Sequence, residues 1–423
     1  MTETIPAPAP TLARQNARQP MAARLRPLPL PALTMLTLLL TAAPATAETT
    51  LRGALDQAWE RAVSARVAET RRGEAAASRT IARSVLPEAP LIGVAGKSQR
   101  FTADRGGREF DLEVALPLWL SGQRAGREQF AERDSADAET GIAATRLALA
   151  GALRTAVWNL ATARAEAGIA GERLATAENL EAEILRRQRA GELARTDLLL
   201  AQEETLAARG NLAQARTRAS QAQNELRLLT GLDELPRDIE EPVRTASGPH
   251  ARLAFAEAAL ERARAGLDVV RQDRRNPPEL AVGLVQARDD FASATTTALR
   301  FGLRVPLGSE ARNAPRLAAA NSQLVRAEAE LRQTLAEIEA EQRAAQAALG
   351  NAAAAHAAAQ TRATLAGERQ ALLQKAFALG ELGLAEFMRV RAAANEARLD
   401  LARAQQSFNA ARAQLNQARG ILP

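Results

Sequence analysis

Hydrophobic and polar positions along this chain change period in the same order twice. Leu51, Ala54, Leu55, Ala58 and Ala62 recur at three- or four-residue steps, so one helical segment is predicted from there toward Pro87 and Pro90. A second helical segment, Leu253 to Val270, leads to Pro277 and Pro278. Proline has no amide donor and pushes its predecessor to extended geometry, so each proline pair marks a change from helix to strand. The period then becomes two. Phe110, Leu112, Val114 and Leu116 alternate with Asp111, Glu113 and Ala115, and Leu299, Phe301, Leu303 and Val305 alternate with Arg300, Gly302 and Arg304. Upstream of each set, across a polar loop, lies a weaker strand. The four predicted strands are 91–100, 109–118, 280–288 and 297–307. After each hairpin come long proline-free stretches with coiled-coil spacing. Leu149, Leu153, Val157 and Leu160 form one seam; Leu324, Leu331, Ile338 and Ala345 form the other, with Leu335 and Leu349 as companions.

These similarities share one offset. Pro117-Leu118 recurs as Pro306-Leu307, Gly191-Glu192-Leu193 as Gly380-Glu381-Leu382, and Gly231 as Gly420, each 189 positions later. The chain therefore reads as two similar halves, 48–232 and 251–423, joined by a polar, proline-containing linker, 233–250. Each half is a strand hairpin followed by a long helical hairpin that turns near Gly191 or Gly380. The fold class is mainly α with a small β part.

Composition agrees with long helices packed side by side. Hydrophobic residues make up 47%, yet aromatics are 3%, and Ala supplies much of the apolar content. The formal charge is +6, with Arg interleaved among Glu and Asp along helical stretches. A nucleic-acid interface would instead gather cations into a patch with aromatics, so no nucleic-acid partner is expected. The chain has no Cys, and its two histidines, His250 and His356, lie in separate segments outside any ligand or triad pattern. No enzyme activity, cofactor or metal site is expected. His250 reads as a linker residue and His356 as a helix-surface residue.

The N-terminus is addressed for export. Arg14, Arg18, Arg24 and Arg26 precede an apolar run from Leu33 to Ala43, and Ala45-Thr46-Ala47 supplies a signal-peptidase pattern, so 1–47 is expected to be a signal peptide. Translation from Met21 would give it more usual proportions; an uncleaved N-terminal anchor is the other reading. No later segment has eighteen consecutive apolar residues. A membrane crossing would then use strands, and strands of about ten residues are long enough when tilted. Four strands cannot close a barrel, and an open edge is forbidden in lipid, so subunits must pool them. On this reading Phe110, Leu112, Val114, Leu116, Leu299, Phe301, Leu303 and Val305 face lipid, while Trp119, Phe101 and Phe110 supply a thin aromatic girdle. A small soluble sheet with one buried face would produce the same alternation.

Two repeats of helix, strand hairpin and long helical hairpin, with RRQRAGELARTDLLLAQ and QKAFALGELGLAEFMRVRAAANEA at the helical turns, resemble the TolC-type outer-membrane efflux proteins over roughly residues 50–421. The second motif looks closest to the heavy-metal efflux branch typified by CzcC. The resemblance implies a homotrimer in the outer membrane of a Gram-negative bacterium. Its twelve-stranded β-barrel would continue into an α-helical periplasmic barrel and work with a periplasmic adaptor (membrane fusion) protein and an inner-membrane pump, of the RND type in that branch. It implies a passive conduit for small toxic solutes, heavy-metal cations among them. It also implies that Gly191, Glu192, Leu193, Gly380, Glu381 and Leu382 form a periplasmic tip where the adaptor docks. Asp197 and Glu386 fall on the acidic gate position, and Arg389 replaces a further carboxylate found in some relatives. The same carboxylates also suit a plain helix start, and the glycines a plain turn. The rival function is a periplasmic adaptor or coiled-coil scaffold, which normally has one helical hairpin interrupting a small β-domain.

Overall fold

The computed structural model describes residues 49–101 and 105–423; the expected signal peptide lies outside them. The chain order is α1 (Leu51–Arg61), α2 (Val63–Ala82), β1 (Leu91–Ser98), β2 (Arg108–Pro117), α3 (Gln123–Arg189) and α4 (Arg195–Thr230), then α5 (Ala251–Gln272), β3 (Glu279–Arg288), β4 (Thr296–Arg304), α6 (Glu310–Ala378) and α7 (Leu384–Ala418). The four strands form one antiparallel sheet in the order β1-β2-β3-β4, so β1 and β4 are its edges. α3 has 67 residues and α6 has 69, each about 100 Å long at 1.5 Å per residue. No described helix is long and apolar enough to cross a membrane.

The first seam is the heart of the packing. Leu149, Leu153, Val157 and Leu160 of α3 are buried against Leu51, Ala54, Leu55 and Ala58 of α1 and against Ala222 and Leu226 of α4. The spacing that predicted a helix therefore also names its buried face, and each leucine so enclosed contributes about 2 kcal/mol of transfer free energy. The second seam is only half filled. Ile338 and Ala345 are buried, whereas Leu335, expected as their companion, is exposed. Along α6 the exposed set also includes Leu317, Val325, Leu365 and Leu372, with Leu379 at its C-cap.

Two boundaries differ from the sequence reading. The first helical segment is broken at Ala62, whose extended backbone (φ −69°, ψ 129°) separates α1 from α2. β4 stops at Arg304, so Val305 and Leu307 lie beyond the strand. The reason is on both sides of the ladder: Pro306 restricts Val305, and β3 begins at Glu279, the register partner of Arg304, directly after two prolines that lack amide donors.

Residues 233–250 are packed far more closely than a polar linker requires. Leu235 and Ile239 pack against the seam core. Glu241 is buried with Arg154 of α3 in a two-pronged ion pair, Nε to Oε1 at 2.7 Å and Nη2 to Oε2 at 2.6 Å. The Arg154 Nη1 donates to Gln417 Oε1 at 2.5 Å, and Asn416 Nδ2 donates to the Pro242 carbonyl at 2.9 Å. The segment is thus a strap pinned to α3 and α7, that is, to both halves. His250 ends it as the N-cap of α5, its Nδ1 accepting from the Arg252 amide at 3.2 Å. His356 stacks on Phe408, ring centroids 5.8 Å apart.

Candidate functional site

The sheet has two chemically different faces. Residues paired across antiparallel strands share a face, and the register aligns whole rows of apolar side chains. Ile92, Val114, Val282 and Phe301 make one row; Val94, Leu112, Leu284 and Leu299 make the next; Leu116, Leu280 and Leu303 make a third. Phe110, Leu112, Val114, Leu299, Phe301 and Leu303 are exposed on this face, and Leu116 is half-buried there. Of the eight residues assigned to lipid, Val305 alone falls outside the strands. Ile92, Val94, Val282 and Leu284 complete the surface and were not singled out from sequence, because the small residues between them make β1 and β3 read weakly.

The opposite face carries the charges. Arg300 of β4 pairs with Asp111 of β2, and Arg304 pairs with Glu113 at 2.7 Å and with Glu279 at 3.5 Å. The β2–β4 pairs pass over β3, and Gly283 makes the crossing feasible. A Cβ there would sit 2.8 Å from the Leu112 carbonyl oxygen and 3.4 Å from Asp111 Oδ1. Glycine is the residue that lets backbone and side chain approach this closely.

At the far end of the helices the two turns are built alike. Gly191 (φ 81°) and Gly380 (φ 77°) hold left-handed geometry. The Glu192 amide donates to the Arg187 carbonyl at 2.9 Å, and the Glu381 amide to the Ala376 carbonyl at 2.9 Å, closing each helix with a Schellman-type bond. Leu193 and Leu382 are half-buried and pack against one apolar cluster formed by Leu180, Ile184, Ala201, Phe377, Leu384 and Phe387. The turns of the two halves therefore meet. Phe377 and Phe387 stack at 4.8 Å, and the Arg187 guanidinium lies 5.3 Å over the Phe377 ring while its Nε donates to Glu192 at 3.2 Å. Two phenylalanines flanking Gly380, in a chain with nine, were the sequence signal for this contact.

The two acidic positions do not behave alike. Asp197 Oδ2 accepts from the Ala194 amide at 3.1 Å, so this carboxylate is engaged in starting α4. Glu386 occupies the same place in α7 but is exposed and forms no hydrogen bond or ion pair among the described residues; Arg389, one turn on, is exposed and does not pair with it. Two turns of α7 beyond the tip, Arg391 is buried beside Arg173 and Glu204, which bond each other at 2.8 Å. Burial holds the Arg391 guanidinium below the usual arginine value, with Glu204 pulling the other way, and its Nη2 has no hydrogen-bond partner. Among the described residues no group of three potential metal ligands is present.

A long helical bundle continuous with a sheet that is apolar on one face and charged on the other is an arrangement shared with solved outer-membrane channels. Residues 54–232 match the model of the outer membrane efflux protein family. The chain shares its fold with solved outer-membrane channels over 88% of its length. It is similar to a membrane protein from Pseudomonas aeruginosa (19% identity, TM-score 0.72, covering 88% of this chain and 93% of that one). It is also similar to the transmembrane channel protein CusC (18%, 0.73, 88% and 92%) and to the CmeC outer membrane channel of Campylobacter jejuni (15%, 0.69, 88% and 85%). A sequence search among curated proteins finds no significant match. The fold is that of outer-membrane channels, and the first half of the chain carries the sequence pattern of the outer membrane efflux protein family.

Proposed function

We propose that this chain is one subunit of a homotrimeric outer-membrane duct in a tripartite efflux system, with the helical end in the periplasm. One observation carries the reading: a four-stranded sheet with both edges unpaired, one apolar face exposed and one charged face, whose strands all join helices at the same end, β2 and β4 leading into the long helical hairpins. Three copies would supply twelve strands and close every edge, with the ion-paired face lining the lumen. The exposed apolar residues of α6 support the same assembly, since a surface of that extent calls for a partner. A mass measurement of the detergent-solubilised protein is expected to give three copies, and planar-bilayer recording a stable conductance. A monomeric species that conducts would refute the pooled barrel.

The cluster joining the two turns is proposed as the periplasmic tip. Glu192 and Glu381 are presented to an adaptor protein, Leu193 and Leu382 hold the two hairpins together beneath them, and an inner-membrane pump of the RND type loads the duct. Glu386, free where Asp197 is engaged, is the proposed constriction carboxylate. Three copies about an axis concentrate negative potential that holds cations, most strongly at low salt. Glu386→Gln is expected to change single-channel conductance at low ionic strength while Asp197→Asn leaves it close to wild type; identical recordings for Glu386→Gln and wild type would remove Glu386 from the gate. For cargo, the second turn motif favours heavy-metal cations among small toxic solutes. A deletion strain challenged in parallel with metal salts and organic toxicants distinguishes the two.

A further inference from the structure

At the hairpin-loop end of the sheet the pairing rule is broken on one face only. On the charged face, Lys97 of β1 is the register partner of Glu109, opposite charges across the ladder. On the apolar face at the neighbouring position, Arg108 of β2 is the register partner of Arg288 of β3. Like charges set directly opposite each other destabilise a sheet, so this pair needs a compensating anion. Among the described residues no carboxylate forms an ion pair with either arginine, and Asp290 only partly offsets Arg288 from the loop. Arg108 is exposed. Arg288 has its Nε on the Gly106 carbonyl at 3.3 Å and its guanidinium 5.7 Å over the Phe291 ring, with no described acceptor for its terminal nitrogens. Asp290 lies near Arg288, but its Oδ1 accepts from the amides of Ala292 and Ser293 and from the Ser293 hydroxyl. The two arginines line a recess of about 400 Å³ together with Ser98, Phe110 and Gln286, and with Lys97 and Glu109, register partners of opposite charge.

Position along the strand says what the anion is. Arg108 precedes Phe110, Leu112, Val114 and Leu116 on the same face, and it stands eight residues, about 27 Å along the strand, from Leu116 at roughly 3.4 Å per residue. At a barrel tilt of about 40° that is roughly 21 Å of height, close to a barrel's apolar band of about 25 Å, reached at the end away from the helices. Resting on the barrel reading above, we propose that Arg108 and Arg288 form a binding site for the phosphorylated headgroup of an outer-leaflet lipid. The acyl chains run along the strands from there, over Leu112 and Leu284 and then Val114 and Val282, and Phe110 and Phe291 sit at the polar boundary. Guanidinium pairs suit phosphate oxygens because several donors meet one group in a fixed fork.

The test is native mass spectrometry of the full chain purified from outer membranes in detergent. It is titrated with a bisphosphorylated glycolipid of the lipid A type, with the same lipid dephosphorylated, and with inorganic phosphate as competitor. Wild type is expected to retain the phosphorylated lipid selectively. Arg108→Gln and Arg288→Gln should each weaken retention about tenfold, Arg108→Lys less, and Arg300→Gln on the opposite face not at all. Millimolar inorganic phosphate should not displace the lipid. Equal retention in all variants, equal retention of the dephosphorylated lipid, or displacement by free phosphate would each overturn the site while leaving the barrel intact. A chain that stays in solution without detergent and takes up no lipid would overturn the barrel reading and this site together.

Discussion

Val114→Arg is expected to prevent stable assembly in the outer membrane, and Leu303→Arg to impair it. Both residues sit within the apolar rows, Val114 between Ile92 and Val282 near the middle of the band and Leu303 beside Leu280, level with Leu116 at its helix-side edge. A guanidinium toward mid-bilayer on the lipid face costs about 2 to 4 kcal/mol and one nearer the edge less, and a threefold assembly would bear that cost in each subunit. Arg300→Gln and Asp111→Asn on the other face disturb one ion pair beside water and should cost less than about 1 kcal/mol. Heat-resistant oligomer on a semi-native gel, quantified against wild type, reads the difference. Equal tolerance on the two faces would mean that the exposed apolar rows do not meet lipid.

The second large effect is expected at the strap. Arg154 and Glu241 are both buried, and removing one leaves the other charged and unpaired inside the bundle. Arg154→Met should therefore lower stability by about 3 to 5 kcal/mol, whereas Arg154→Met combined with Glu241→Leu should recover most of the loss, because two well-packed apolar groups often replace a buried pair without penalty. The readout is the midpoint of urea unfolding in detergent followed by resistance to protease. If the double variant is no better than the single one, the pair is contributing a geometric role that apolar packing cannot replace, and the strap's bond to Asn416 becomes the next target.

Much of this architecture was legible because its determinants are local. Proline pairs at 87/90 and 277/278 stop helices by lacking a donor, and dyad alternation in β2 and β4 is visible because charged residues fill the second face. β1 and β3 were weaker since their second face is largely Gly and Ala. The strap was missed for a different reason: the burial of Glu241 depends on Arg154, 87 residues away, and leaves no period in its own neighbourhood. The break at Ala62 likewise has no proline or glycine to announce it. At the tips, sequence placed Asp197 and Glu386 as equivalents, and only the geometry separates a carboxylate bonded to its own helix from one left exposed.

That inequality changes the symmetry that a permeating ion would meet. A trimer built from duplicated halves presents six hairpin ends, nearly equivalent in backbone, each with a carboxylate at the third residue of the returning helix. With Asp197 occupied by the Ala194 amide, the electrostatic field at that end would repeat three times around the axis while the helices repeat six times. The duplication thus leaves one copy of the acid without a bond to its own helix, and in the proposed trimer a single substitution in the second half would change the charge at the opening without touching the start of a helix in the first.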